Sequence, residues 1–242
     1  MPADVRLFDD AENLGAALAY EILARYARGS GPFLLGCPGG RSLLTTYRAL
    51  AQRREALDRL VVVMMDEYVV DGAAAPADAH YSCRGFALRE IAGPLGVRDE
   101  DLLLPDPSEP SLYDGRIAGL GGIDLFLLAS GASDGHVAFL PPGSPLGGRT
   151  SVVTLAESTR RDNVATFPEF ASVEDVPTQG VSVGLGTIRA AKALRLVLHG
   201  RDKQAAAARL LDPDHFDPAW PASVVHSHGD AETWLDREAA PW

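Results

Sequence analysis

Leu60-Val61-Val62-Val63-Met64-Met65-Asp66-Glu67-Tyr68 is the stretch that decides the fold. It opens with an unbroken apolar run dominated by valine, and a strand with one wet face would instead alternate apolar and polar residues. A strand buried on both faces belongs to a parallel sheet covered by helices. Outward from it, Val5 to Phe8, Phe33 to Gly36, Ile123 to Ala129, Val181 to Gly184 and Leu194 to His199 read as further strands, with helices filling much of the space between. Asp10 is placed to cap a helix from about Ala11 to Arg28, where Leu14, Leu18, Ile22 and Tyr26 recur every four residues. A second helix is expected to start near Ser42 and to run through Tyr47 and Leu50 towards Leu57. The fold class that follows is α/β, a single domain over residues 1–242 with an open, mostly parallel, Rossmann-like sheet and helices on both faces.

Three stretches lack regular pattern. Val70 to Ala79 and Pro105 to Leu112 read as surface loops. Leu140 to Gly148, rich in proline and glycine, directly follows a polar cluster and is expected to form a wall or lid of the active site.

The chain is 46% hydrophobic and 23% charged over 242 residues, which supplies a sizeable core and excludes disorder. Lys plus Arg number 22 against 33 Asp plus Glu, a formal charge of -11 that repels nucleic-acid phosphates. No nucleic-acid partner is therefore expected, although backbone N–H groups and a few cations can still build a local anion site. Two cysteines, Cys37 and Cys83, suit a reducing compartment rather than a disulfide scaffold. The N-terminus has no apolar stretch behind a basic start, and no run approaches a membrane span, so the expected location is the cytoplasm with no membrane partner. Trp220, Trp234 and Trp242 fit either the core or an interface between copies, which leaves a homo-oligomer open.

Three clusters carry chemistry, each where an apolar run ends. Gly36-Cys37-Pro38-Gly39-Gly40-Arg41-Ser42 hands a strand to a helix, and glycines there let backbone N–H groups and the positive helix end approach a phosphate. The turn is neither a P-loop nor a dinucleotide fingerprint, and a merely tight turn would look similar; Arg41 and Ser42 point towards an anion. Asp66 and Glu67 stand at the carboxyl end of the strand quoted first, the end at which open α/β sheets bind ligands, so they are candidates for proton transfer, against a helix cap or a loop ion pair. Asp134-Gly135-His136 follows Ser130-Gly131-Ala132-Ser133, and a carboxylate two residues from an imidazole can orient or charge it.

The chain resembles the glucosamine-6-phosphate deaminase and 6-phosphogluconolactonase superfamily nearly end to end. The landmarks are Gly39-Gly40-Arg41-Ser42, Met65-Asp66-Glu67-Tyr68, Gly121-Gly122-Ile123-Asp124-Leu125-Phe126, Asp134 to Phe139, Pro142-Gly143-Ser144, Val183-Gly184-Leu185-Gly186-Thr187-Ile188 and Gly200-Arg201-Asp202-Lys203. The resemblance implies a fold of that type and no metal or organic cofactor. It also implies a base at Asp66 that moves a proton between C2 and C1 of an open-chain sugar, ring opening by His136 helped by Asp134, and a phosphate held by the Gly-rich turn and Lys203.

Two departures from the deaminase pattern are visible. Pro141 stands where deaminases carry a Glu that supports the ring-opening His, and the lactonase branch also lacks that Glu. Lactonases, however, usually have Asp-Glu-Arg where this chain has Asp66-Glu67-Tyr68. The phosphate Arg of deaminases falls near Ala165; Arg160 and Arg161 lie a few residues earlier, and Arg41 is the stronger replacement. The leading expectation is aldose–ketose isomerisation, with or without deamination, of a hexose- or amino-sugar phosphate. The alternatives are hydrolysis of a sugar-phosphate lactone by a His136-activated water, and a non-catalytic sugar-phosphate sensor.

Overall fold

The computed structural model describes residues 4–53, 55–212 and 215–242. In chain order the elements are β1 (Asp4–Phe8), α1 (Ala11–Tyr26), β2 (Phe33–Cys37), α2 (Leu44–Gln52), β3 (Leu60–Met64), β4 (Asp66–Val70), β5 (Ala73–Ala74), α3 (Cys83–Ala87), α4 (Gly93–Leu95), β6 (Leu102–Leu103), α5 (Pro110–Gly119), β7 (Leu125–Ala129), β8 (Ser151–Thr154), α6 (Glu157–Thr166), β9 (Gln179–Ser182), α7 (Leu185–Arg189), β10 (Leu194–Leu198), α8 (Gln204–Leu211) and β11 (Ala231–Asp236).

Seven strands form one sheet in the order β1-β11-β10-β7-β2-β3-β6, every neighbouring pair parallel. Its central strands are apolar throughout because apolar side chains cover both faces: Leu35, Val62 and Leu127 pack with Leu14, Leu18 and Tyr47 on one side, and Leu34, Val63 and Leu128 with Ile117, Ile188 and Leu210 on the other. The α/β reading of the sequence holds.

The chain winds outward in both directions from β2. β3 and β6 extend the sheet one way, and β7, β10 and β11 extend it the other. The order of winding therefore reverses between β2 and β7, and the crevice at the carboxyl ends of two such strands is where this class of sheet takes its ligand.

A smaller antiparallel sheet, β5-β4-β9-β8, was not foreseen. The sequence pattern predicts a strand of the parallel sheet over Val181 to Gly184, but the strand there is β9, which belongs to this second sheet. The chain passes from one sheet to the other at Met65, whose N–H donates to Cys37 O and whose carbonyl accepts from Val183 N.

Helix α1 matches its expectation: Asp10 caps it by accepting from Asn13 N at 2.7 Å, and Leu14, Leu18 and Ile22 are buried. Helix α2 is shorter than expected and ends at Gln52, because its buried positions stop at Leu50 and Leu57 enters the core from the turn before β3. Pro105 to Leu112 is irregular only as far as Pro110, which starts α5 as a proline can at a helix's first turn. Trp220 and Trp234 are buried, and Trp242 is exposed. No helix among the described residues is long and apolar enough to cross a membrane.

Candidate active site

A cleft of about 920 Å³, counting its open mouth, lies over the carboxyl ends of β2 and β7 and is lined by the residues that follow them, Pro38 to Ser42 and Ser130 to Ala132. Asp66, His136, Asp162 and Lys203 also line it, so all three sequence clusters meet in one place.

Asp66 is the first residue of β4, where the chain leaves the large sheet, and it is buried. The Cys83 thiol donates to its Oδ1 at 3.3 Å. Burial pushes the Asp66 carboxyl up to about 7 despite that bond, with the neighbouring Glu67 adding to the rise. A carboxyl poised near neutrality can both take and return a proton, which is what a reversible transfer between two carbons requires.

Glu67 faces the other way, as adjacent residues of a strand must. Its carboxylate accepts from the backbone N–H groups of Tyr68, Cys83 and Arg84 and from the Ser82 hydroxyl, at 2.8, 3.0, 2.8 and 3.1 Å. It anchors the start of α3, whose N-cap is Ser82, and it does not line the cleft.

His136 and Asp134 form a dyad, Nδ1 to Oδ1, at 2.7 Å. Because the partner is a carboxylate, Nδ1 carries the proton and Nε2 is left to meet a ligand. Burial alone would raise the Asp134 carboxyl, but His136 and the Ser158 hydroxyl outweigh it and hold Asp134 well below the carboxylate range. Ser158 donates at 2.5 Å and Thr159 at 3.1 Å to the second oxygen, so both come from the first turn of α6 to lock the carboxylate. Sequence reasoning missed these two and Cys83, since nothing local in the chain marks residues 24, 25 and 17 positions away from their partners.

The loop carrying the dyad is tightly folded: Ala138 adopts φ 53°, unusual for a residue with a side chain. Gly131 leaves room for the imidazole, because a Cβ there would lie 2.1 Å from His136 Nδ1 and 2.8 Å from Asp134 Oδ1. Gly131→Ala is accordingly expected to displace the dyad and to lower kcat/KM at least ~100-fold, near the contribution of one positioned acid–base group. Steady-state kinetics on the variant would show it, and near-normal turnover would mean that the imidazole can shift without loss.

At the anion end, Gly40 sits at φ 79° and Arg41 extends from the turn before α2. Lys203 Nζ donates to Ser130 O at 2.9 Å. Burial depresses the Lys203 ammonium below its ordinary range, opposed by Asp202 and Asp162, while Arg41 adds repulsion. Two cations close enough to repel each other, beside the backbone of a Gly-rich turn, form a pair that an anion would relieve.

The other two arginines are not there. Arg160 turns to the carbonyls of Val173 and Val176, and Arg161 is an exposed partner of Glu157. Both are held by local structure, and neither lines the cleft. Ala165 does line it, so the position matched to the deaminase Arg presents only a methyl group to the cleft here. Leu140 to Gly148 is not a wall of this cleft either; Leu140 to Pro145 and Gly148 line a separate cavity with Arg149 to Ser151.

A parallel α/β sheet with a cleft of this make at its switch point defines a protein that handles a small anionic molecule. The chain belongs to the glucosamine-6-phosphate isomerase/6-phosphogluconolactonase family, whose model matches residues 9–234. It is 33% identical to the glucosamine-6-phosphate deaminase of Shouchella clausii, covering 98% of this chain and 94% of the relative. The solved structure of a monomeric glucosamine-6-phosphate deaminase superimposes with a TM-score of 0.87 at 28% identity, covering 98% of each chain. The 6-phosphogluconolactonase from Leishmania guyanensis shares the fold, with a TM-score of 0.75 at 18% identity over 99% of this chain and 98% of that one.

Proposed function

We propose that the protein is a sugar-phosphate isomerase and deaminase that converts glucosamine 6-phosphate to a ketose phosphate and ammonia, acting in the cytoplasm as a single domain over residues 1–242. The observation that carries this reading is the meeting of a buried carboxyl poised near neutrality, an imidazole–carboxylate dyad and two cations in one cleft.

The anion turn from Gly39 to Ser42, with Arg41 and Lys203, holds the phosphate and so fixes the carbon chain. His136 Nε2 exchanges a proton with the ring oxygen while Asp134 stabilises the charge that develops on the imidazole. In the opened sugar, Asp66 takes the proton from C2 and returns it to C1, which moves the double bond; water then adds at C2 and ammonia leaves. No step draws on a metal or an organic cofactor.

Incubation with glucosamine 6-phosphate, reading ammonia and ketose phosphate together, tests this directly; absence of both with a correctly folded protein sinks it. The lactonase reading draws on one observation, Pro141 in place of the deaminase Glu. Acid release from 6-phosphogluconolactone, without ammonia from the amino sugar, would establish it instead.

Lys203→Ala is expected to raise KM by ~10- to 100-fold and to lower kcat far less, since a phosphate remote from the reacting carbons is gripped alike in ground and transition states. A fall confined to kcat would assign Lys203 to the chemistry.

A further inference from the structure

Helix α6 runs along one wall of the cleft and connects its two ends. Ser158 and Thr159 in its first turn grip Asp134. At its other end Thr166 reaches the anion turn, its methyl 3.6 Å from where a Cβ on Gly40 would stand. Seven residues of helix rise ~10 Å, on the order of the length of an extended hexose phosphate.

Asp162 lies between them, one turn from each, half-buried and lining the cleft. One of its oxygens lies within 4.8 Å of a carboxylate oxygen of Asp134 and a ring nitrogen of His136. The Ser133 hydroxyl donates to its Oδ2 at 3.1 Å, and no Lys or Arg among the described residues forms an ion pair with it. Lys203 feels its field but is committed to Ser130 O.

A carboxylate without a cation is a poor fit to a cleft that accepts a phosphate, because it repels the ligand's own charge and loses water when the ligand enters. A ligand that brings a positive group to the middle of the cleft removes both costs. We propose that Asp162 is a specificity-determining residue that receives the ammonium group of an amino-sugar phosphate, so that the cleft selects a zwitterionic ligand over one whose only charge is the phosphate. The assignment rests on the sugar-phosphate reading above and adds to it the residue that reads the substrate's amino group. A neutral hydroxyl would be received equally well by an amide, so charge separates this role from plain hydrogen bonding.

The test is calorimetric binding to the full chain at pH 7 of 2-amino-2-deoxyglucitol 6-phosphate and of glucitol 6-phosphate, open-chain compounds with no carbonyl to isomerise. The native protein should bind the amino compound about tenfold more tightly, the worth of one partly solvated ion pair. Asp162→Asn keeps the shape and the Ser133 bond, and it should bring the two affinities within about threefold of each other by weakening only the amino compound. Asp162→Ala should do the same. Equal affinities in the native protein, or an unchanged preference in both variants, would overturn the role of Asp162 while leaving the sugar-phosphate site intact. Binding of neither compound would remove the sugar-phosphate reading and this assignment with it.

Discussion

Asp66→Asn is expected to lower kcat by roughly 10²- to 10⁴-fold while leaving the phosphate end able to bind, because the amide keeps the shape but cannot accept a proton. Solvent deuterium should no longer enter the exchanging carbon of the sugar. In the native protein the reactive form is the carboxylate, so kcat/KM should rise with pH through about 7 and fall away on the acid side. The same burial that tunes the base also costs stability. The carboxyl stands near 7 in the fold against an ordinary 3.8, so the folded state holds a proton that the unfolded chain has released. The stability this confers is complete below 3.8 and is lost as pH climbs through about 7. Asn carries no such penalty, and Asp66→Asn should therefore melt at a higher temperature than the native protein at pH 8, with the difference shrinking towards pH 4. An inactive variant that is also less stable at pH 8 would mean that Asp66 serves the fold more than the chemistry. Retained deuterium exchange would show that the base is elsewhere.

The parts of this arrangement that could be read from the sequence are those encoded locally. β2, β3 and β7 are legible as apolar runs because both faces of each are covered, and β10 is interrupted only by Arg195, whose guanidinium pairs with Glu21 and Asp230. The Asp134–His136 pair is legible because its members lie two residues apart. By contrast β4 begins Asp66-Glu67-Tyr68, whose polar residues are buried through tertiary partners that no window of sequence contains. Had residues 66 to 70 been recognised as a strand, the alternation of faces would have separated Asp66 from Glu67 at once. β8 is mostly exposed and β11 mixes Glu232, Thr233 and Asp236 among its apolar residues, so neither shows the continuous apolar pattern. Arg160 and Arg161 illustrate the same limit from the other side. They lie close in sequence to the expected phosphate Arg, but the helix turns them away and presents Asp162 and Ala165 to the cleft.

His136→Gln should divide the two enzymatic readings, and it carries the second large effect. Gln can fill the space of the imidazole and bond to Asp134, but it cannot exchange a proton near neutral pH, so turnover of the cyclic substrate should fall by roughly 10²- to 10⁴-fold. In an isomerase the imidazole serves ring opening, whereas the C2-to-C1 transfer belongs to Asp66 on β4. An open-chain substrate analogue bypasses ring opening, and it should recover much of the lost rate in His136→Gln but none of it in Asp66→Asn. In a lactonase the imidazole activates the attacking water, no open-chain form lies on the path, and no analogue can rescue the variant. Asp134→Asn provides the internal control. Its carboxylate receives the Nδ1 proton at 2.7 Å and two hydroxyls on its other oxygen, so an amide in its place presents a donor where acceptors are needed and favours the wrong tautomer of the ring. It should match His136→Gln in the size of the loss and in its rescue by the open-chain analogue. Rescue of one variant but not of the other would break the link between dyad and ring opening, since two residues acting as one unit must fail together.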